Sequence, residues 1–463
     1  MKNFDLQGLQ DKIETVPRLT LLSAVALTAF LALLPSWINY DVISRDGAFQ
    51  FIPMAKMLLE GNFHEVFLNN SQMPLFPLLL AGVAKATGFS LELSGRIVSY
   101  ISFVLAAVGM FKLGEVLFRD RSVALLGVLF FITNRQILNR SIDCLKEALL
   151  LCLIIWGSFM ILKGISDRRM RFLNLAGGAL LMLVGALNRS TAILFLLIWL
   201  FIWVFHEKKG WYYRSLFFII PVGGVLGLWA VKPDMVVFQK TCYNISYFFL
   251  ESHTPLEILK SAKDVLTDFF VTGSPGVMLF MFYGMYRSER TLYFYHACLT
   301  LVSFYLILIF WLFASSRYYL VPIAWVYPFA AFGITYAFRQ GGKAVKVLAG
   351  LAVASCFVLW AHISLTPPDP DKLAWKDAGR WILAQAGSNR EIVSNRDRLV
   401  FYAEGVWIPL ESFKKEEGLT RPMAVDTDEG NGKTFDEGIR ALGRKPDKQF
   451  RTINIYLPGV QQP

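Results

Sequence analysis

Residues 140–171 read Arg140-Ser-Ile-Asp143-Cys-Leu-Lys-Glu147, then ALLLCLIIWGSFMIL over 148–162, then Lys163-Gly-Ile-Ser-Asp-Arg168-Arg169-Met-Arg171. With a helical turn added at its start, the apolar run fills about 144–163, the ~20 residues a helix needs to cross ~30 Å of hydrocarbon. Its two ends differ. Acid and base mix at the start, whereas base dominates the far end, which is the signature of the positive-inside bias. Working outward, comparable blocks recur at about 18–40, 91–118, 122–139, 171–188, 190–206, 214–231, 265–286, 292–313, 319–338 and 344–364. The expected fold class is therefore an all-α polytopic membrane protein with about eleven transmembrane helices.

Composition supports this. The chain has 463 residues, 55% hydrophobic and 17% charged, against about 45–50% and ~25% in soluble domains, and its mean hydropathy is +0.46. A soluble enzyme, a secreted disulfide scaffold and a disordered chain are excluded. The net charge of +11 would suggest nucleic acid in a soluble protein. Here the basic residues crowd short loops instead: Arg119 and Arg121; Lys163, Arg168, Arg169 and Arg171; Lys208, Lys209 and Arg214; Arg339, Lys343 and Lys346. No nucleic-acid partner is expected. With the N-terminus in the cytoplasm, eleven spans place all of these loops inside and the C-terminus outside. That predicts a multi-pass protein of the inner (plasma) membrane. The first apolar block lacks a small-residue cleavage site, so it reads as a retained helix.

Three outer segments do not read as simple hairpins. Residues 41–90 carry short apolar stretches at 47–60 and 73–87, each too short to span and suited to lie in the interface. Residues 232–268 mix aromatics with charges and suit a cover over a site. Residues 366–463 are polar, with an amphipathic helix (Leu373, Trp375, Ala378, Trp381, Ile382) followed by strand-like runs at 391–394, 399–402 and 452–457. The expected organisation is a membrane domain over 1–365 and a small soluble α/β domain over 366–463.

Charge at the poorly charged ends of spans is expensive and points to function. The outer candidates are Asp41, Arg45 and Asp46 after the first span, Arg140, Asp143 and Glu147 between the third and fourth, Arg189 between the fifth and sixth, and Arg317, followed by Tyr318, between the ninth and tenth. Short loops bring these groups to one face, so carboxylates and arginines are expected to meet in an external cavity. Arginine grips phosphate with a fixed fork of donors, and a carboxylate takes a proton from a hydroxyl. Plainer roles stay open. Asp46, before Gly47, serves equally as an N-cap, although Pro53 demands a kink in any helix running over 47–60. Asp143 also suits a cap, and Arg140, Arg189 and Arg317 can snorkel to lipid headgroups. His64 and His253 stand far apart, so neither a metal nor a cofactor is expected.

The order of these motifs resembles that of the GT-C superfamily of glycosyltransferases, in its protein mannosyltransferase and lipid A aminoarabinose transferase-like group. Asp46-Gly-Ala-Phe-Gln and Ala55-Lys-Met-Leu-Leu-Glu-Gly61 are similar to the acidic first loop and its interfacial helix. Asn69-Asn-Ser-Gln-Met-Pro-Leu-Phe-Pro77 resembles the Pro-aromatic segment that follows, and Arg119-Asp-Arg121 the short cytoplasmic turn. Arg140-Ser-Ile-Asp143, Leu187-Asn-Arg-Ser-Thr191 and Ser316-Arg-Tyr-Tyr-Leu-Val-Pro322 resemble the later outer motifs. The likeness covers about 40–365. It departs at Met73-Pro74, where the aminoarabinose enzymes carry Lys-Pro, and at Asp46-Gly47, where mannosyltransferases often carry Asp-Glu.

The resemblance implies transfer of a sugar from a polyprenyl-phosphate carrier, among membrane lipids, to an extracytoplasmic acceptor with inversion. On that expectation Asp46 and Asp143 are the catalytic carboxylates, and Arg317, Arg189 and Arg140 hold the donor phosphate. Arg45, Glu147 and Tyr318 line the substrate. The alternative is a transporter or flippase for a lipid-linked sugar, but transporters commonly show internal repeats and no repeat is found.

Overall fold

The computed structural model describes residues 12–70, 72–167, 169–189, 191–206, 254–310, 316–412, 421–428, 432–441 and 444–458. The span expected at 214–231, most of the expected cover at 232–268, and the basic residues Arg168, Lys208, Lys209 and Arg214 lie outside them. The chain divides into two compact units, one of residues 1–38 and 54–365, the other of residues 39–53 and 366–463. Residues 39–53, read from sequence as the opening of the membrane domain's first loop, thus group with the C-terminal unit.

The first unit is helical. Six helices among the described residues are long and apolar enough to cross a bilayer, or up to eight when each of two bent pairs counts as one span. The sequence predicts eleven. The helices Arg171–Ala186 and Thr191–His206 have 16 residues each, less than the ~20 that a straight crossing requires.

Both bent pairs fall where one continuous span is expected. Over 122–139 the chain forms Arg121–Thr133 and Arg135–Ser141, bent by 63°. Asn134 between them is extended, and its side chain caps the second helix by accepting from the Ile137 amide. Its Nδ2 donates to the Thr272 carbonyl and to the Tyr327 hydroxyl, both at 2.7 Å. Over 265–286 the expected span is instead Pro255–Gly273 and Pro275–Arg287, bent by 98°. Ser274 at the break has φ of 69°, and the residue before a proline is already driven out of the helical region.

At the centre of this unit runs Ser316–Gln340, whose residues Leu320 through Ala331 are almost all buried. A helix apolar all round belongs inside a bundle. It touches Pro275–Arg287 backbone to backbone: a Cβ at Gly284 would collide with the Phe329 carbonyl, and one at Gly333 with the Phe280 carbonyl. Small residues at crossings are how helices approach closely where no water drives them together.

Within 41–90 the short helices are Phe63–Leu68, which sequence did not anticipate, and Leu75–Thr87. Before them Gly47–Phe51 forms a π-helical turn that leads into Ile52–Leu59. The Ile52 amide reaches five residues back, to Gly47. This turn absorbs the missing amide and ring bulk of Pro53, since π turns relieve an interrupted ladder.

The C-terminal unit is built on a five-stranded sheet in the order β2-β1-β3-β5-β4, with β1 Glu391–Ser394, β2 Val406–Pro409, β3 Met423–Asp426, β4 Lys448–Phe450 and β5 Ile453–Tyr456. β1 pairs in parallel with β2 and β3, while β5 runs antiparallel to β3 and β4. β1 and β3 are buried along nearly their whole length, as strands of a covered sheet are. Helix Pro370–Ala386 buries Trp375, Ala378 and Ile382. The run at 399–402, expected as a strand, is helical in Asp397–Tyr402. Leu399 and Val400 in this helix and Ala403, its C-cap, are fully buried, a spacing that suits one helix face rather than alternation.

Candidate active site

Four of the eight candidate residues come together within the helical unit. Glu147 opens helix Glu147–Ser166. Arg189 lies in the turn after Arg171–Ala186, and Arg317 and Tyr318 lie in the first turn of Ser316–Gln340. The Arg189 guanidinium stands 4.7 Å from the centre of the Tyr318 ring, and the Arg317 guanidinium 5.2 Å from it. Arg317 also reaches the Tyr318 hydroxyl at 3.4 Å. Glu147 is 5% exposed and forms an ion pair with Arg189 at 3.8 Å, too long for a hydrogen bond. Among the described residues the Arg189 guanidinium donates no hydrogen bond. One tyrosine ring therefore gathers two cations, and a carboxylate holds one of them by charge rather than by a hydrogen bond.

Backbone ties bring these turns together. The Leu75 amide donates to the Leu187 carbonyl at 3.0 Å, Asn188 Nδ2 to the Lys146 carbonyl at 2.8 Å, and Lys146 Nζ to Gln72 Oε1 at 2.8 Å. The segment before helix Leu75–Thr87, the turn at 146–147 and the turn at 187–189 are thereby fixed to one another. Lys146, Gln72 and Asn188 were not singled out by sequence. Each sits beside a candidate, and an amide or lysine beside a stronger charge carries no signal of its own.

Asp143 is buried in the turn after Arg135–Ser141, and its Oδ1 accepts from the Cys144 amide at 2.6 Å. The N-cap of the following helix is Lys146, so Asp143 is not its cap. Arg96, also missed, secures this turn by donating to the Ile142 carbonyl at 3.0 Å and the Trp37 carbonyl at 2.8 Å. It stacks at 4.1 Å on the Trp37 ring. An arginine near a span end reads as a snorkelling charge, which hid this role. Arg140 is half-buried in the last turn of Arg135–Ser141 and is not one of the two cations at the Tyr318 ring.

Asp46 and Arg45 belong to the other unit. Asp46 has helical backbone angles and makes no side-chain cap bond. The cap is Ser44, whose Oγ accepts from the Gly47 amide at 3.2 Å, and the N-cap reading of Asp46 falls. Its Oδ1 instead accepts from Gln50 Nε2 at 3.3 Å. Arg45, expected against substrate, pairs with Asp397 at 2.9 Å. Among the described residues no three His, Cys, Asp or Glu side chains form a group that could hold a metal ion.

No protein-family model matches the chain, and no curated protein does. Solved structures do. ArnT from Cupriavidus metallidurans in the apo state superposes with a TM-score of 0.64 at 12% identity, over 94% of this chain and 97% of that one. The same protein bound to undecaprenyl phosphate gives 0.60 at 12% identity, with the same coverage of 94% and 97%. The archaeal oligosaccharyltransferase AglB from Archaeoglobus fulgidus, in complex with an inhibitory peptide and a dolichol-phosphate, gives 0.56 at 12% identity over 84% of this chain and 64% of that one. All are GT-C superfamily glycosyltransferases. The chain has the GT-C fold.

Proposed function

We propose that this protein is an integral membrane glycosyltransferase that moves a sugar from a polyprenyl-phosphate carrier to an acceptor outside the cytoplasm, with inversion. The observation that carries the reading is the pair of guanidinium groups gathered on Tyr318, at 4.7 and 5.2 Å, in a GT-C fold. Two forked donors suit a phosphate monoester or diester. A related fold holds such a lipid, since ArnT is solved with undecaprenyl phosphate.

In this reading Arg189 and Arg317 hold the carrier phosphate, with Arg140, in the last turn of Arg135–Ser141, adding charge. The acceptor hydroxyl attacks the anomeric carbon, the bond from that carbon to the phosphate oxygen breaks, and the electron pair leaves on the phosphate. The arginines stabilise that growing charge. The hydroxyl proton passes to the Asp46 carboxylate, one such group being enough for inversion. Asp143 positions the acceptor, and Glu147 and Tyr318 set the arginines. The bilayer confines the carrier and so meets part of the entropy cost of assembly. The N-terminus lies in the cytoplasm, and the C-terminal unit outside.

Native mass spectrometry of the purified protein with undecaprenyl phosphate tests the phosphate site. Arg317→Ala should lower retention of the lipid by about tenfold or more, the loss expected when a charged hydrogen-bond partner of ~1.5–3 kcal/mol is removed. Retention equal to wild type in both Arg317→Ala and Arg189→Ala would reject the site.

A further inference from the structure

Residues 41–45 are tied to the C-terminal unit at every second position. Asp41 Oδ1 accepts from the Asp369 amide at 2.7 Å, and Oδ2 pairs with Lys372 Nζ at 3.3 Å. The Ile43 amide, on a fully buried residue, donates to the Tyr402 hydroxyl at 3.0 Å. Arg45 Nε pairs with Asp397 Oδ2 at 2.9 Å, and its guanidinium lies 5.9 Å from the Trp407 ring centre. The next residue is Asp46. Ser44 then fixes the start of the π-helical turn, through the Gly47 amide, and Gln50 reaches back from that turn to Asp46. The residue proposed to take the proton thus sits between a turn capped by Ser44 and a strap held by the C-terminal unit.

We infer that the C-terminal unit is a clamp that orients Asp46, with Tyr402, Asp397 and Lys372 as positioning residues acting through residues 41–45. This rests on the transferase reading above. A carboxylate on an outer loop must be held to well under an ångström, because a misplacement of ~1 Å costs about a hundredfold in rate. The tie through Arg45 separates position from folding. The side chains are 70% exposed at Arg45 and 18% at Asp397, and an ion pair open to solvent on one side contributes modestly to stability. Loss of transfer on breaking it therefore reports orientation.

The test uses the full chain. Asp397→Asn, Asp397→Glu, Tyr402→Phe and Asp46→Asn are compared for the glycan output of cells carrying each as the sole copy. Amide exchange over 41–50 in nanodiscs and retention of undecaprenyl phosphate are measured on the purified variants. The clamp predicts that Asp397→Asn and Tyr402→Phe speed exchange at Ile43 and Gly47 and lower output by about tenfold, while β1 and β3 stay protected and lipid retention is unchanged. Asp397→Glu, which keeps the charge, should recover most of the output. If Tyr402→Phe does not fold, the Arg45–Asp397 pair carries the test alone. Wild-type output from the folded anchor variants, with Asp46→Asn inactive, overturns the clamp and leaves the transferase reading standing. Wild-type output from Asp46→Asn overturns that reading, and the clamp with it.

Discussion

Tyr318 presents its ring to Arg189 at 4.7 Å and to Arg317 at 5.2 Å, and each such contact is worth about 0.5–2 kcal/mol depending on desolvation. Like charges gathered at one ring repel, so the arrangement favours an anion between them. Tyr318→Phe keeps the ring face and should retain undecaprenyl phosphate nearly as wild type in native mass spectrometry. Tyr318→Leu should lose about tenfold, the equivalent of ~1.4 kcal/mol. Arg317→Lys should recover only part of what Arg317→Ala loses, because a point charge replaces a fork. A second residue with a measurable consequence is Asp426, 2% exposed on β3. Burial pushes its carboxyl up, but hydrogen bonds from Thr452, Arg396 and the Asp428 amide, with the Arg396 charge, more than offset this and hold it below its ordinary value. A carboxyl lowered on folding stabilises the fold fully above its unfolded-state pKa of ~3.9 and ceases to do so as pH falls through the folded value. Amide exchange on β3 should accordingly rise below about pH 4 in the wild type, and the rise should be blunted in Asp426→Asn. Equal pH dependence in the two proteins would contradict this.

At the scale of elements, the two bends have separate causes that apolar periodicity does not register. Asn134 sits in an apolar stretch and reads as a tolerated polar residue, yet it caps one helix and ties two others through Thr272 and Tyr327. Asn134→Ala removes those bonds and leaves the buried Thr272 carbonyl and Tyr327 hydroxyl short of a donor. The expected cost is about 1–3 kcal/mol, visible as a lower unfolding midpoint in detergent. An unchanged midpoint would mean that the bend is set by packing alone. The second bend was half visible, since Gly273-Ser-Pro275 is a turn signal, but hydropathy on both sides carried the span reading across it. Gly284→Leu should prevent the crossing of Pro275–Arg287 over Ser316–Gln340, where the Phe329 carbonyl leaves no room for a side chain. Loss of folded protein in size-exclusion chromatography checks that expectation, and a well-folded Gly284→Leu would refute the crossing.

For the whole molecule, what composition could carry was legible: block lengths define a polytopic membrane protein, and the GT-C resemblance read from the motifs agrees with the GT-C fold found in the superpositions. The span count is not shown: six to eight helices among the described residues qualify, two expected spans form 16-residue helices, and 214–231 lies outside the described residues. Arg189, Arg317 and Glu147 could be named because charge is costly at a span end, and Tyr318 because the 316–322 motif resembles one of the superfamily. Arg96, Lys146 and Asn188 could not, since their worth lies in carbonyls brought from distant turns. Nor did polarity reveal that 39–53 would group with the last hundred residues. That segment is held by a few polar ties at 41, 43 and 45. The account's central claim, sugar transfer with Asp46 receiving the acceptor proton, is tested most directly by mass spectrometry of surface glycans from cells whose only copy carries Asp46→Asn. The account predicts that the product disappears while the protein still inserts and still retains undecaprenyl phosphate; glycans indistinguishable from wild type would contradict it.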